Sequence, residues 1–240
     1  EMVIRDWSSD VCSSDLAEDG ALTAGAVATD GETATRHGLP AAPAIAEALA
    51  VARDLMLAEE TGARLHIRQA TTAAAFDLIR AAKRRGVRVT CGITPAHLHL
   101  SDIAMSDFRT YAHVSPPLRS ESDRQAARAA IADGTIDVLC SGHDPHGPEA
   151  KRLPFVDSAA GMAGAETLLP LGLMLVRDGL LPLERLLAML SVNPARVLGL
   201  ETGTLAAGQP ADLMLFDPQT PRHVDAAAFA SEGKTPFDGL

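Results

Sequence analysis

Hydrophobic and polar positions along this chain fall into alternating blocks, and each block predicts an element. Residues 43–61 carry apolar side chains at Ile45, Leu49, Leu55 and Met56 with Glu47, Arg53 and Glu59 between them, which predicts a helix whose charged residues face outward and which Gly62 ends. Residues 64–71, R-L-H-I-R-Q-A-T, alternate as a strand, with Leu65, Ile67 and Gln69 on one side and His66 and Arg68 on the other. A helix over 72–85 turns Phe76, Ile79 and Ala82 inward, and a strand over 87–92 follows. The segment 121–133 reads as a helix closed by Gly134, and 136–140 as a short strand buried on both faces. Helices are expected at 168–177, 183–190 and 193–200, and an apolar strand within 203–218. Strands alternating with helices in this way argue for a parallel β/α architecture.

The buried strand 136–140 opens into the most chemically equipped stretch of the chain, S-G-H-D-P-H-G-P-E-A-K, residues 141–151. His143, Asp144 and His146 follow the carboxyl end of a strand, which is where α/β folds carry their chemistry. A solvated turn fixed by Pro145 and Pro148 is the plain alternative; two histidines, an aspartate and a following Glu-x-Lys argue against it.

Composition narrows the function classes. With 240 residues, 47% hydrophobic and 22% charged, the chain has ample material for a core. A net charge of −10 disfavours nucleic acid or an anionic membrane as partner. Cys12, Cys91 and Cys140 lack zinc-site spacing, and the latter two lie in apolar runs, so cysteine reads as a small hydrophobe in a reducing cytoplasm. Residues 1–16, which hold the only Trp, a near-duplicated S-S-D and no Ala, read as an artefactual or disordered leader.

Several of these residues carry a resemblance to dihydroorotases, zinc-dependent cyclic amidohydrolases of pyrimidine synthesis. The 141–151 loop resembles their T-D-H-A-P-H signature: Ser141, His143, Pro145, His146, Glu149 and Lys151 match, and Gly142 stands where the family has its metal-binding Asp. A-E-D-G-A-L from Ala17 resembles H-A-E-D with Leu16 in place of the His. Residues 66–71 are similar to the H-I-x-H-V-S strand, His66 matching the first His and Gln69 replacing the second, which ligates metal. I-T-P-A-H-L resembles T-P-H-H-L with Ala96 for one His, and V-S-P-P-L-R resembles N-P-P-L-R with Ser115 for the substrate-contacting Asn. Arg119, presented by that rigid Pro-Pro segment, reads as a structural ion-pair residue. S-A-A-G-M-A-G-A-E-T resembles the segment whose turn, here Ala160 and Gly161, meets substrate.

The resemblance implies the latter part of a (β/α)₈ barrel of the amidohydrolase superfamily over 17–201, and part of a small composite β-domain, clipped at its end, over 202–240. The early strands bearing the family's H-x-H pair are absent, so the barrel is expected to be open. The implied activity interconverts N-carbamoyl-L-aspartate and dihydroorotate. The implied metal set falls on Leu16, Gln69 and Gly142, none of which ligates zinc, so the chain is expected to bind no zinc and to be inactive as it stands. Asp144 is the one candidate substitute for the missing carboxylate. His146, Ser115, Ala160 and Gly161 are the expected substrate contacts. The alternative is a catalytically silent subunit scaffolding aspartate transcarbamoylase. A hydantoinase or allantoinase is the weaker reading, because P-P-L-R and H-D-P-H lie on the dihydroorotase side.

Overall fold

The computed structural model describes residues 12–14 and 16–240. The remainder of the leader, with Trp7, lies outside the described residues. In chain order the strands are β1 (Cys12–Ser14), β2 (Ala28–Thr29), β3 (Ala41–Ala42), β4 (Leu65–Ile67), β5 (Val89–Ile93) and β6 (Val138–Leu139). The α-helices are α1 (Gly20–Thr23), α2 (Glu32–His37), α3 (Ile45–Thr61), α4 (Ala73–Arg84), α5 (Pro95–His99), α6 (Glu121–Asp133), α7 (Pro148–Lys151), α8 (Leu168–Arg177), α9 (Leu183–Leu190) and α10 (Val192–Leu198). β1, β4, β5 and β6 form one parallel sheet in that order, and β2 pairs with β3 in a second, two-stranded one. Parallel neighbours joined through helices make this an open arc of a β/α barrel, as the alternation predicts.

The helices α3, α4, α6 and α9 cover one face of the arc. Val51 and Leu55 of α3, Phe76 and Ile79 of α4, Ile131 of α6 and Leu186 of α9 meet Ile67, Cys91 and Ile93 of the strands in one core. Phe76, Ile79 and Ala82 are all buried, as their spacing predicts. Gly92 sits where a side chain has no room, because a Cβ there would stand 2.6 Å from the Arg68 carbonyl oxygen on the neighbouring chain segment.

Within residues 1–16, Cys12–Ser14 pair in register with Leu65, His66 and Ile67. Two expectations are corrected. In α3 the expected faces hold only in part: Leu55 is buried and Arg53 and Glu59 are exposed as expected, but the first turns are exchanged. Glu47 is 1% exposed, while Ile45 (51%), Leu49 (48%) and Met56 (70%) face outward. The inward face is built of small residues, Ala46, Ala50 and Ala58, so apolar side chains lie all round the helix and their periodicity does not choose a side. Finally, residues 209–217 form no strand, and Leu213, Met214 and Leu215 are exposed. A strand needs a hydrogen-bonding partner, and none of the described residues pairs with this one.

Candidate active site

The ends of β4, β5 and β6 lead into three loops that close around a cavity of about 500 Å³. Leu16, Arg68, Gln69, Thr94, His97, Ser115, Cys140, Ser141, Gly142, His143, Asp144, Gly161 and Met162 contribute to its walls. Of the residues singled out in the sequence, the fold therefore gathers Leu16, Gln69, Gly142, Asp144, Ser115 and Gly161 around one space. Ala160 and His146 are not in its lining; His146 Nε2 instead bonds the Ala160 carbonyl at 2.9 Å.

The loop after β6 is held chiefly by contacts to Thr94, Thr110 and His113, which are distant in sequence. Gly142 has φ +59°, and a Cβ on it would lie 2.8 Å from the Thr94 methyl, so the backbone here is shaped for the absence of a side chain. Gly161 has φ +137°, and its N–H donates to the His113 carbonyl at 2.8 Å. Lys151 is buried, with Nζ donating to the carbonyls of Ala159 (2.6 Å), Thr110 (3.0 Å) and His113 (3.4 Å). Burial lowers its pKa to about 8, while the Asp144 charge acts in the opposite sense. Its role is to bind the loop down rather than to face the cavity.

A buried ion network joins segments distant in sequence. Arg119 donates to Glu18 at 2.9 Å, Glu47 at 3.2 Å, Thr71 Oγ1 at 2.9 Å and Thr29 Oγ1 at 3.1 Å. Glu47 in turn accepts the N–H groups of Thr71 and Thr72, each at 2.8 Å. Arg119 is thus the structural ion-pair residue that its sequence context predicts. Burial raises the pKa of Glu18 in spite of Arg119.

Sequence reading passed over His97, whose signal was its place in I-T-P-A-H. It is buried at the cavity wall, with Nδ1 bonded to Thr94 Oγ1 at 2.7 Å and Nε2 to the Pro116 carbonyl at 3.1 Å. A carbonyl only accepts, so Nε2 carries the proton and Nδ1 accepts from the threonine hydroxyl. Desolvation, then the Arg119 charge, hold His97 neutral and lower its pKa to about 4. His66, His99 and His113 are lowered as well, each chiefly by burial. Because the unfolded chain binds more protons than the folded one below the ordinary histidine pKa, stability rises with pH here. Stability will therefore fall as pH drops from about 6.5 to 4, with His97 alone accounting for about 3 kcal/mol of it. Urea midpoints at pH 7 and 4.5 measure this, and His97→Gln will flatten the slope. An equal slope in the variant would contradict it.

Cys140 also departs from expectation. It is partly exposed at the cavity wall, its Sγ lying 3.3 Å from the Ile93 carbonyl, while Cys91 is fully buried. Asp144 Oδ1 stands 3.5 Å from His146 Nε2, and among the described residues no three His, Cys, Asp or Glu side chains are grouped so as to hold a metal ion.

The Amidohydrolase family model matches residues 15–239. The chain belongs to the amidohydrolase family. It is 46% identical over 223 residues to a dihydroorotase of Syntrophus aciditrophicus, covering 92% of this chain and 52% of that protein. It is 43% identical over 222 residues to a dihydroorotase-like protein of Pseudomonas aeruginosa, with the same two coverages. Among solved structures, the L-hydantoinase of Arthrobacter aurescens superposes with a TM-score of 0.78 at 33% identity, over 84% of this chain and 46% of that one. A dihydropyrimidinase of Brevibacillus agri superposes with a TM-score of 0.77 at 27% identity, over 83% and 46%. The chain spans about half the length of the relatives it matches. These matches bear out the dihydroorotase-like resemblance and the partial (β/α)₈ architecture. Amidohydrolases generally depend on a metal ion, and the residues described here do not form a set that fits one. No helix among the described residues is long and apolar enough to cross a membrane.

Proposed function

We propose that this chain is part of a dihydroorotase-like protein of de novo pyrimidine synthesis, in which the substrate cavity is kept and the metal centre is lost. Its ligands are then N-carbamoyl-L-aspartate and dihydroorotate, bound without turnover by the chain on its own. One observation carries the reading: Leu16, Gln69 and Gly142, the family's metal positions by resemblance, line one cavity and offer it a hydrocarbon, a neutral amide and no side chain. In the family a metal supplies an activated water and polarises the amide carbonyl. Without a ligand set, no step follows through it here. His146, Ser115, Ala160 and Gly161 are the proposed substrate contacts, with His146 released from the Ala160 carbonyl to meet a carboxylate.

Elemental analysis of the purified chain, paired with an assay of the interconversion, tests this. The expected result is substoichiometric zinc and no turnover in a folded protein. Stoichiometric zinc with activity would refute it, and activity on hydantoin alone would favour the hydantoinase reading.

A second reading, a silent subunit scaffolding aspartate transcarbamoylase, is favoured by the outer face of α3. There Ile45, Leu49 and Met56 leave an apolar stripe in water. Failure of the two proteins to co-purify after co-expression would count against it.

A further inference from the structure

We propose that the cavity is a metal-free binding site for a small molecule carrying an amide or ureide group, and that Gln69 is the residue that recognises that group. The inference rests on the reading above only in taking this cavity as the substrate site. Gln69 is 7% exposed and lines the cavity, and its Oε1 has no hydrogen-bond partner among the described residues. A buried acceptor without a donor is costly, and native structures rarely leave one unless something else comes to it. At about 500 Å³ the space is far larger than a single water needs and is of the size of small-molecule sites.

The opposite hydrogen-bonding character comes from His143. Its Nδ1 accepts the N–H groups of Gly164 and Ala165, both at 3.2 Å. The ring proton therefore sits on Nε2, and the imidazole is a donor at the cavity wall. The walls thus present an unpaired amide acceptor and an oriented N–H donor. A ligand with both N–H and C=O groups offers a partner to each, whereas a simple carboxylate offers one only to the donor. Rotating the Gln69 amide by half a turn exchanges its oxygen and nitrogen, and a ureide pairs with either arrangement. Leu16 and Gly142 bring no charge to the cavity, whose lining also carries the charged side chains of Arg68 and Asp144.

The test is calorimetric titration of the whole chain in EDTA with N-carbamoyl-L-aspartate, hydantoin and succinate as probes. At least one of the two ureides is expected to bind, and succinate, which has no N–H, to bind more weakly than carbamoyl aspartate. Gln69→Leu is expected to weaken ureide binding at least about tenfold, because a site built around a hydrogen bond loses it outright. The same substitution removes the unpaired acceptor, so the unliganded variant is expected to melt no lower than wild type. That pairing separates recognition from a structural role. A lower melting temperature for Gln69→Leu, unchanged affinity in that variant, no ureide binding, or binding only on addition of zinc would each overturn the proposal. Gln69-dependent binding of hydantoin without carbamoyl aspartate would sustain it while refuting the dihydroorotase-like reading.

Discussion

Replacing Glu47 by alanine will destabilise the fold by about 3–5 kcal/mol, the loss expected when one partner of a buried ion pair is removed and the other stays buried. Arg119 is 4% exposed and, among the described residues, would keep only Glu18 as an ion-pair partner. The N–H groups of Thr71 and Thr72, which now share Glu47 Oε1, would lose their acceptor at the start of α4. These residues are 24, 25 and 72 positions from Glu47 in sequence, so one substitution loosens α3, the segment after β4 and the segment leading into α6 together. Glu47→Gln keeps the shape and one acceptor oxygen, and its loss will be smaller. Urea unfolding of both variants decides the matter. A loss under about 1 kcal/mol for Glu47→Ala would mean that the network is no more than a surface ion pair in effect.

Gly161→Ala will cost about 3 kcal/mol or more, from two separable causes. At φ +137° an alanine is strained whatever the space, and its Cβ would lie 2.4 Å from the Asp144 carbonyl oxygen and 2.9 Å from Asp144 Oδ2. Gly86 serves as the control, since it has φ +86° and a Cβ there would meet nothing within 4 Å. Gly86→Ala therefore reports the cost of a positive φ alone, about 1 kcal/mol, and the difference between the two variants reports the collision together with the greater strain at φ +137°. Because Asp144 and Gly161 both line the cavity, Gly161→Ala will also weaken ligand binding there. Equal melting temperatures for the two variants would show that the 144 and 161 segments separate without cost.

Much of this was readable from local pattern. Phe76, Ile79 and Ala82 share one face of a helix at any orientation that buries one of them, and Gly62 and Gly134 stop helices through a backbone freedom other residues lack. Resemblance to a family placed Leu16, Gln69 and Gly142 at equivalent positions before any fold was in view, and the cavity brings all three together. Pattern misplaced Glu47 because a charge is assigned outward unless its partners are known, and they belong to other elements. It likewise extended a strand into residues 209–217, where apolar character is local but pairing is not.

The sequence by itself determined the β/α alternation and the glycine stops, since each depends on residue type and short spacing. Only the tertiary structure decided that Glu47 and Arg119 are buried together, that His97 is held neutral, and that Gln69 faces a cavity with its acceptor unpaired. Those depend on desolvation and on donors supplied from distant segments, and no periodicity along the chain records them.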